Sequence, residues 1–312
     1  MSKCNLCGGQ TKLWINKLFD DRHGYPGFFD VYRCQNCAIG ITNPPLSPKK
    51  ISRIYTKYYP WHNVDISKIN LNDYRSPNAW TNWGKGLNID CHRQAKPKTK
   101  VLDVGCGVGY SLLELKNKDC EAYGIDPEAT AEKLAKKFGL KFHRGFIQDH
   151  PFGKTKFDYI TASQVLEHTP GPIKFLKDCK KRLAPGGQII LSFPNIDSLT
   201  RRLLGRRWLH WHVPYHFWHF SRKSLEILTQ KSNLKITNLI TVSPNMWTNL
   251  QLRHLLMPHH PGQRDEFWDG GSNSSPTWLS QSWSLLENHN YLNRVIDALG
   301  LGESWVVTLS NP

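Results

Sequence analysis

The feature that most constrains this fold is a short apolar run that ends in an alternating glycine turn, Val101–Tyr110. The apolar residues predict a buried strand, and Ser111–Leu115 begins a helical pattern. Glycines between a strand and a helix permit positive φ and bring backbone N–H groups close to a ligand at the helix N-terminus. The turn alone leaves two interpretations open, a ligand-binding loop and a plain tight connection.

Length and charge limit the class of protein. The chain has 312 residues, enough for one large core with additions or for two domains. Its formal net charge of +16 favours anionic partners: nucleic acid, phosphorylated or nucleotide-linked small molecules, or an anionic membrane surface. The N-terminus has no apolar signal region, and no apolar run is long enough for a transmembrane helix. We therefore expect a cytoplasmic protein.

Two Cys-x-x-Cys pairs, Cys4 with Cys7 and Cys34 with Cys37, are separated by twenty-six residues. In a reducing cytoplasm, this spacing favours a tetrahedral zinc site with four thiolate ligands over disulfides. Four unrelated cysteines and a redox-active pair are the alternatives. We predict a structural zinc ion in a module of residues 1–45.

Residues 46–98 are harder to interpret. Prolines mark a boundary near residue 45, and Lys49–Tyr59 has the spacing of a short basic helix. Residues 58–83 are rich in Tyr, Trp and Asn, which is compatible with a lid over a substrate or with a packed connector.

From residue 99 onward, strand and helix patterns alternate, which predicts a parallel α/β sheet. Helices are expected over 173–183 and from a Ser221 cap to about Ser232. Residues 244–302 form a predicted helical insertion, explained by core packing, dimerisation or contact with a membrane-linked glycolipid. The last strand is expected to pair antiparallel with the sixth strand of this sheet. The predicted strands, including one in the cysteine module, are 28–33, 101–104, 121–125, 140–144, 157–162, 188–193, 234–242 and 304–309.

An acidic residue ends the second strand of the predicted sheet. Asp126 lies about twenty residues past the glycine turn, where a carboxylate can accept hydrogen bonds from both hydroxyls of a ribose. Pro127 suits the first position of the next helix, so Asp126 also fits a helix cap. The two roles are compatible.

Four ordered motifs together resemble the class I S-adenosylmethionine (SAM)-dependent methyltransferases. The cysteine pairs, the Pro-Asn after the fifth strand and the segment 208–221 are similar to a bacterial subgroup with a zinc-ribbon-like head, often linked to sugar or polysaccharide modification. The resemblance implies a Rossmann-like seven-stranded sheet with an insertion before the last strand, and a SAM-binding domain over 99–312. The four motifs are 101–110, 123–127, 157–160 with 165–168, and 183–187.

The resemblance implies SAM as the cofactor. The three glycines would line its methionine part, Asp126 would hold the ribose, and Asp103 would orient the turn or the SAM ammonium. Many relatives place an acid near Phe146 to bind the adenine amino group, and we find none there, so backbone at Ile147 or the Gln148 side chain would substitute. The expected cofactor residues are Asp103, Gly105, Gly107, Gly109, Asp126, Ile147 and Gln164.

Candidate catalytic residues lie on the acceptor side. Methyl transfer is an in-line displacement, and a base helps when the acceptor has a proton to lose. Residues 194–220 are rich in histidine, the side chain whose pKa suits that task. We predict His216 first and His168 second, with Glu167 to orient His168. The alternative is that these are packed core residues.

Two other features of residues 194–220 are weaker indications of function. A second metal site built from His210, His212 and His216 is an alternative use of these histidines. Four arginines suit bidentate contacts with an anionic acceptor or form a solvated face; they are Arg201, Arg202, Arg206 and Arg207.

The sequence thus predicts a SAM-dependent methyltransferase with a small-molecule or carrier-linked acceptor, a sugar hydroxyl or related glycan group being the first choice. An RNA methyltransferase that grips its substrate through the basic zinc head is the rival enzyme. A SAM-binding protein without turnover is the non-enzymatic alternative.

Overall fold

The computed structural model describes residues 3–47, 50–51, 54, 57–58, 64–149, 151–265, 268 and 290–312. In chain order its strands are β1 (Thr11–Leu18), β2 (Phe29–Cys34), β3 (Gly40–Asn43), β4 (Lys100–Val104), β5 (Glu121–Asp126), β6 (Lys141–Arg144), β7 (Phe157–Ser163), β8 (Leu183–Pro194), β9 (Trp218–His219), β10 (Lys235–Val242) and β11 (Ser304–Ser310). The described α-helices are α1 (Ala79–Lys85), α2 (Tyr110–Asn117), α3 (Ala129–Phe138), α4 (Pro172–Lys180), α5 (Leu199–Leu204), α6 (Arg222–Lys231), α7 (Asn245–Leu256) and α8 (Leu292–Ala298).

The larger sheet has seven strands in the order β10-β11-β8-β7-β4-β5-β6. Strands β4 to β8 are parallel, and β11 is antiparallel to both β8 and β10. The predicted Rossmann-like sheet and its antiparallel last strand are confirmed. Strands β5 and β6 follow β4 on one side of it, whereas β7 and β8 lie on its other side. The direction in which strands are added therefore reverses at β4. Ligands of open α/β sheets bind at such a reversal, outside the carboxyl ends of the strands.

Two predicted boundaries around β8 are corrected. The helix predicted over 173–183 ends at Lys180, and Leu183 already pairs with Phe157 of β7. The next matched pair joins Tyr159 to Gln188, so residues 184–187 bulge out of β8 rather than precede it. Gly186 supports this bulge with a φ of +74°.

The cysteine module forms a second sheet of four antiparallel strands in the order β1-β2-β3-β9. Its fourth strand comes from the histidine-rich segment, where Trp218 pairs with Ile41. The Thr42 hydroxyl donates a hydrogen bond to the His216 carbonyl at 2.6 Å, and the Ser221 hydroxyl donates to the Cys37 carbonyl at 3.0 Å. The cysteine module (residues 1–45, the head) and the acceptor-side segment (residues 194–220) therefore share one sheet. A domain boundary at residue 45 stays a prediction.

The described part of the 46–98 connector packs against α2 and α3. Ile69 clusters with Val108, Leu113 and Leu134, which lie on or beside these helices. The Tyr74 ring stacks on Tyr110 at 4.9 Å, at the start of α2. Most of the helix predicted over 49–59 lies outside the described residues.

A buried carboxylate fastens the end of this connector. Glu114 of α2 is 8% exposed and accepts two hydrogen bonds from the Arg93 guanidinium, at 2.8 and 2.9 Å. His92 Nε2 lies 3.2 Å from the same carboxylate. This network holds the segment before β4 against the helix that follows the glycine turn.

The predicted insertion contains α7 and α8 in its described part. The tryptophans at 278 and 283 and the leucines at 279 and 286 lie outside the described residues. Within the described ranges, no helix combines the length and the apolar character needed to cross a membrane.

Replacing Glu114 with Ala is expected to lower the free energy of unfolding by about 3 kcal/mol, because Arg93 and His92 lose a buried charged partner. Urea denaturation followed by circular dichroism measures this change. Glu132→Ala, at an exposed carboxylate on α3, is the control and is expected to change stability by less than about 0.5 kcal/mol. Equal losses in the two variants would contradict the anchoring role of Glu114.

Candidate active site

The glycine turn leaves β4 at the carboxyl edge of the sheet. Gly105, Gly107 and Gly109 have φ values of +75°, +57° and +97°. A Cβ on Gly105 would lie 2.4 Å from a methyl of Val165, whereas one on Gly107 would meet no described atom within 4 Å. The first glycine thus permits close packing against the loop after β7, and the second borders open space.

Asp126, at the tip of β5, braces this turn. One carboxylate oxygen accepts the Gly107 N–H at 2.8 Å, and the other accepts the Glu128 N–H at 2.8 Å. Burial raises the pKa of Asp126 to about 6, so the group is ionised at neutral pH. Because each carboxylate oxygen has two acceptor sites, both can accept a further hydrogen bond from a ligand.

Asp103 is turned into the protein. Its carboxylate accepts hydrogen bonds from the Thr161 hydroxyl at 2.6 Å and from the Ser111 hydroxyl at 2.5 Å. The residue is 4% exposed, and burial raises its pKa. These contacts join β4 to β7 and α2, and they favour a role in orienting the turn.

The loop after β6 carries the predicted adenine-side residues. Ile147 is 2% exposed and belongs to the main core, while Phe146 beside it is 59% exposed. The Asp149 carboxylate accepts the Phe146 N–H at 2.7 Å and lies 3.1 Å from His143 Nε2. The sequence did not lead us to expect Asp149 in this loop. An acidic residue only three positions after Phe146, in a short loop that folds back, is the signal that predicts it.

Gln164 connects the cofactor side to the acceptor side. It directly follows β7 with a φ of +56°, and its N–H donates to the Ser192 carbonyl at 2.8 Å. Its side-chain amide lies between the Ser192 hydroxyl and the Glu167 carboxylate, 3.2 Å from each.

The structure brings the three predicted catalytic residues together. His168 Nδ1 donates to the Tyr215 carbonyl at 2.9 Å, His216 Nδ1 donates to the His210 carbonyl at 2.9 Å, and the two imidazoles are 4.7 Å apart. Since a carbonyl only accepts, each neutral ring carries its lone pair on Nε2. Burial lowers the pKa of His168 to about 4 and holds that of His216 well below its ordinary value, so both rings are neutral at pH 7.

Glu167 lies next to His216, with Oε1 4.0 Å from His216 Nε2. The Tyr215 carbonyl binds Nδ1 of His168, and orientation of that ring by Glu167 stays a prediction. Glu167 is fully buried, which raises its pKa to about 8. Among the described residues, Oε2 of Glu167 has no hydrogen-bond partner.

The remaining histidines of the segment make contacts of their own, although the His212 ring also lies 4.9 Å from the His216 ring. His210 Nε2 lies 3.6 Å from the Glu303 carboxylate, and the His212 ring stacks on Tyr215 at 4.6 Å. In the described part of the chain, the metal-compatible group includes His216 but neither His210 nor His212. The alternative site built from those three histidines is therefore wrong.

Three of the four clustered arginines hold structural contacts. Arg201 Nε donates to the Ile196 carbonyl at 2.6 Å. Arg206 donates to the Asn16 carbonyl of β1, also at 2.6 Å, and Arg207 donates to the carbonyl of residue 255 in α7. These groups fasten the acceptor-side segment to the head and to the insertion.

The four head cysteines converge on one point. The sulfur atoms of Cys4 and Cys37 are 3.7 Å apart, those of Cys7 and Cys34 are 3.4 Å apart, and all four lie within 4.8 Å of one another. Thiolates around a tetrahedral zinc ion are about 3.8 Å apart. A hydrogen bond with Cys37 lowers the pKa of Cys4 to about 5. The cluster is thus able to bind a metal.

The seven-stranded fold and its glycine turn define a class I SAM-dependent methyltransferase domain. The sequence model of the methyltransferase-domain family matches residues 82–239, half of the chain, and the chain belongs to this family.

Curated relatives match the same region. A tRNA U34 carboxymethyltransferase of Nautilia profundicola is 35% identical over 153 residues, 46% of this chain and 49% of that protein. A ubiquinone biosynthesis O-methyltransferase of Actinobacillus pleuropneumoniae is 36% identical over 107 residues, 31% of this chain and 46% of that protein. The chain spans about half the length of these relatives.

Two solved structures are similar to this chain at low sequence identity. Coclaurine N-methyltransferase bound to N-methylheliamine and SAH is 17% identical with a TM-score of 0.47, covering 72% of each chain. Geranyl diphosphate methyltransferase in complex with SAM is 12% identical with a TM-score of 0.45, covering 86% of this chain and 93% of that one.

Gly105→Ala is expected to destabilise the protein by about 1–3 kcal/mol more than Gly107→Ala, because only the first substitution drives a methyl into Val165. Both variants share the cost of a positive φ, so their difference in urea denaturation isolates the steric part. Adding Val165→Ala to Gly105→Ala is expected to restore part of that difference. Indistinguishable stabilities would refute close packing at Gly105.

Proposed function

We propose that this protein transfers a methyl group from SAM to an acceptor that enters beside Glu167, His168 and His216. The observation that carries the proposal is the Asp126 carboxylate, braced between the N–H groups of Gly107 and Glu128 at the edge where the strand order reverses. An ionised carboxylate at that position suits the two hydroxyls of a ribose.

The proposed cofactor contacts come from the turn after β4, the end of β5 and the loops after β6 and β7. Gly105, Gly107 and Gly109 approach the methionine part, and Asp126 accepts from the ribose. The loop at Ile147 covers the adenine, while Asp103 orients the turn through Ser111 and Thr161. Gln164 borders both cofactor and acceptor. SAM, when bound, supplies an electrophilic methyl group.

The acceptor side supplies neutral imidazoles. Backbone carbonyls hold His168 and His216 in the tautomer whose Nε2 accepts a proton. His168 is partly exposed and His216 is 5% exposed, so His168 has the better access to an acceptor. We assign proton acceptance from the acceptor hydroxyl to this pair, with Glu167 beside it.

We further propose that the four head cysteines hold a structural zinc ion. The sulfur separations of 3.4 and 3.7 Å suit a tetrahedral thiolate site. The ion would hold the N-terminal pair, Cys4 and Cys7, against the pair at the end of β2, Cys34 and Cys37. Since β3 follows this cluster and pairs with β9, the ion would also stabilise the acceptor-side segment.

For the acceptor we propose an anionic small molecule or a carrier-linked group, with a sugar hydroxyl as the first choice. The net charge of +16 supports an anionic acceptor, and the enclosed histidine pair suits a small one. RNA is the second candidate. It is favoured by the same charge and by the 35% identical relative, which is named as a tRNA U34 carboxymethyltransferase.

Calorimetric titration with SAM and with S-adenosylhomocysteine tests the cofactor site. Asp126→Ala is expected to weaken binding by at least about tenfold, because two hydrogen bonds to a charged group are lost. Glu128→Ala is the matched control, since that carboxylate caps α3 by accepting the Thr130 N–H and its removal leaves Asp126 in place. No binding by the intact protein, or equal binding by Asp126→Ala, would contradict the proposal.

Gel retardation separates the two acceptor classes. If RNA is the substrate, retardation is expected at low salt and should weaken steeply as salt rises, because phosphate contacts release counterions. A small acceptor predicts methyl transfer to nucleotide-linked sugars and none to RNA. Because a net charge of +16 retards RNA non-specifically at low salt, methyl transfer to RNA, and not retardation alone, decides for the RNA substrate. No retardation at low salt would count against RNA.

A further inference from the structure

The Glu167–His168–His216 cluster has the composition of a metal centre as well as that of a proton acceptor. One ligand atom from each residue lies within 4.8 Å of the others, deep beside the cofactor edge. We propose that these three residues bind a divalent transition-metal ion of the zinc type, separate from the cysteine cluster. The inference rests on the proposed function, because it assigns the same site a means of binding the acceptor.

The imidazoles are already oriented as metal ligands. Ligating histidines commonly donate their second ring N–H to a backbone carbonyl, which fixes the tautomer and raises the basicity of the other nitrogen. His168 and His216 make this contact with the Tyr215 and His210 carbonyls, each at 2.9 Å. Both rings therefore present Nε2 as the atom that would bind the ion.

The carboxylate supplies the second observation. Glu167 is fully buried, and its Oε2 has no hydrogen-bond partner among the described residues. A buried carboxyl group without a partner is costly, and a cation is one of the few neighbours that compensates it. The Gln164 amide, 3.2 Å from Oε1, occupies only one side of the group.

The donor set selects the type of ion. Two imidazoles and one carboxylate bind zinc and related divalent metals, typically with an open fourth position in catalytic sites. Donor atoms around such an ion are about 3.4 Å apart. The separation of 4.0 Å between His216 Nε2 and Glu167 Oε1 is longer than that value, so binding would draw these two side chains closer together.

An ion in this position would bring the acceptor to the cofactor edge. Gln164 follows β7 and contacts Glu167, so the open coordination position lies beside the predicted methyl donor site. A hydroxyl or carboxylate oxygen of the acceptor is the ligand class that suits this position. In that arrangement the Nε2 lone pairs would bind the ion, so proton acceptance by the imidazoles, assigned above, would be replaced by the ion. The ion would lower the pKa of the bound hydroxyl, and the proton would pass to water.

Cobalt titration of the 312-residue protein tests the proposal. After chelation of bound metal, Co²⁺ is added anaerobically and followed by absorption and by equilibrium dialysis. Thiolate-to-cobalt charge-transfer absorption reports the cysteine cluster, whereas visible bands without charge transfer report a nitrogen and oxygen site. The wild type is expected to bind two ions per chain, one of each kind.

Glu167→Gln keeps the shape of the side chain and removes the carboxylate that would bind the ion. It is expected to weaken the second ion by at least about tenfold and to leave the thiolate-bound ion unchanged. His168→Gln should do the same. The control is His219→Gln, a buried histidine 6.3 Å from the His216 ring that contacts the Thr42 hydroxyl instead. Thermal unfolding of each variant verifies that it is folded.

A wild type that binds only the thiolate-coordinated ion, or a second ion retained in both Glu167→Gln and His168→Gln, would overturn the metal site. Neither result bears on the proposed cofactor site, which calorimetry with SAM tests separately. Conversely, two cobalt ions without any SAM binding would support the metal centre and reject the methyltransferase function.

Discussion

The architecture of the site depends on the contact between Asp126 and the Gly107 N–H. This hydrogen bond fastens the loop after β4 to the end of β5, and the second bond to Glu128 starts α3 from the same carboxylate. The Gly105 N–H adds a bond to the Ile125 carbonyl at 2.7 Å. Two N–H groups of the turn are therefore held before any ligand binds, which reduces the entropy that binding must overcome.

The acceptor side depends on the cysteine head in the same way. Strand β3 pairs with β9, and Thr42 binds the His216 carbonyl, so the loop carrying His216 is fixed by residues far away in sequence. The head cysteines belong to the same core as Trp218 and Phe220. A metal in the head would accordingly influence the acceptor side without touching the substrate, through packing and sheet pairing.

Local patterns predicted much of the fold and part of the site. The glycine turn, Asp126 and the strand–helix alternation depend on residues that are close together in sequence, so they could be predicted without knowledge of long-range contacts. The Tyr215 carbonyl that orients His168, the return of Asp149 onto Phe146 and the joining of β9 to the head could not, because tertiary packing alone creates them. The structural use of Arg206 also depends on β1 lying beside it.

Hydrogen–deuterium exchange with and without S-adenosylhomocysteine tests most directly that the turn at β4 and the tip of β5 form one cofactor site. The account predicts slower exchange in peptides that cover 103–110 and 124–130, and unchanged exchange over β1. Saturating ligand that leaves the glycine turn unprotected, or that protects the head instead, would contradict it.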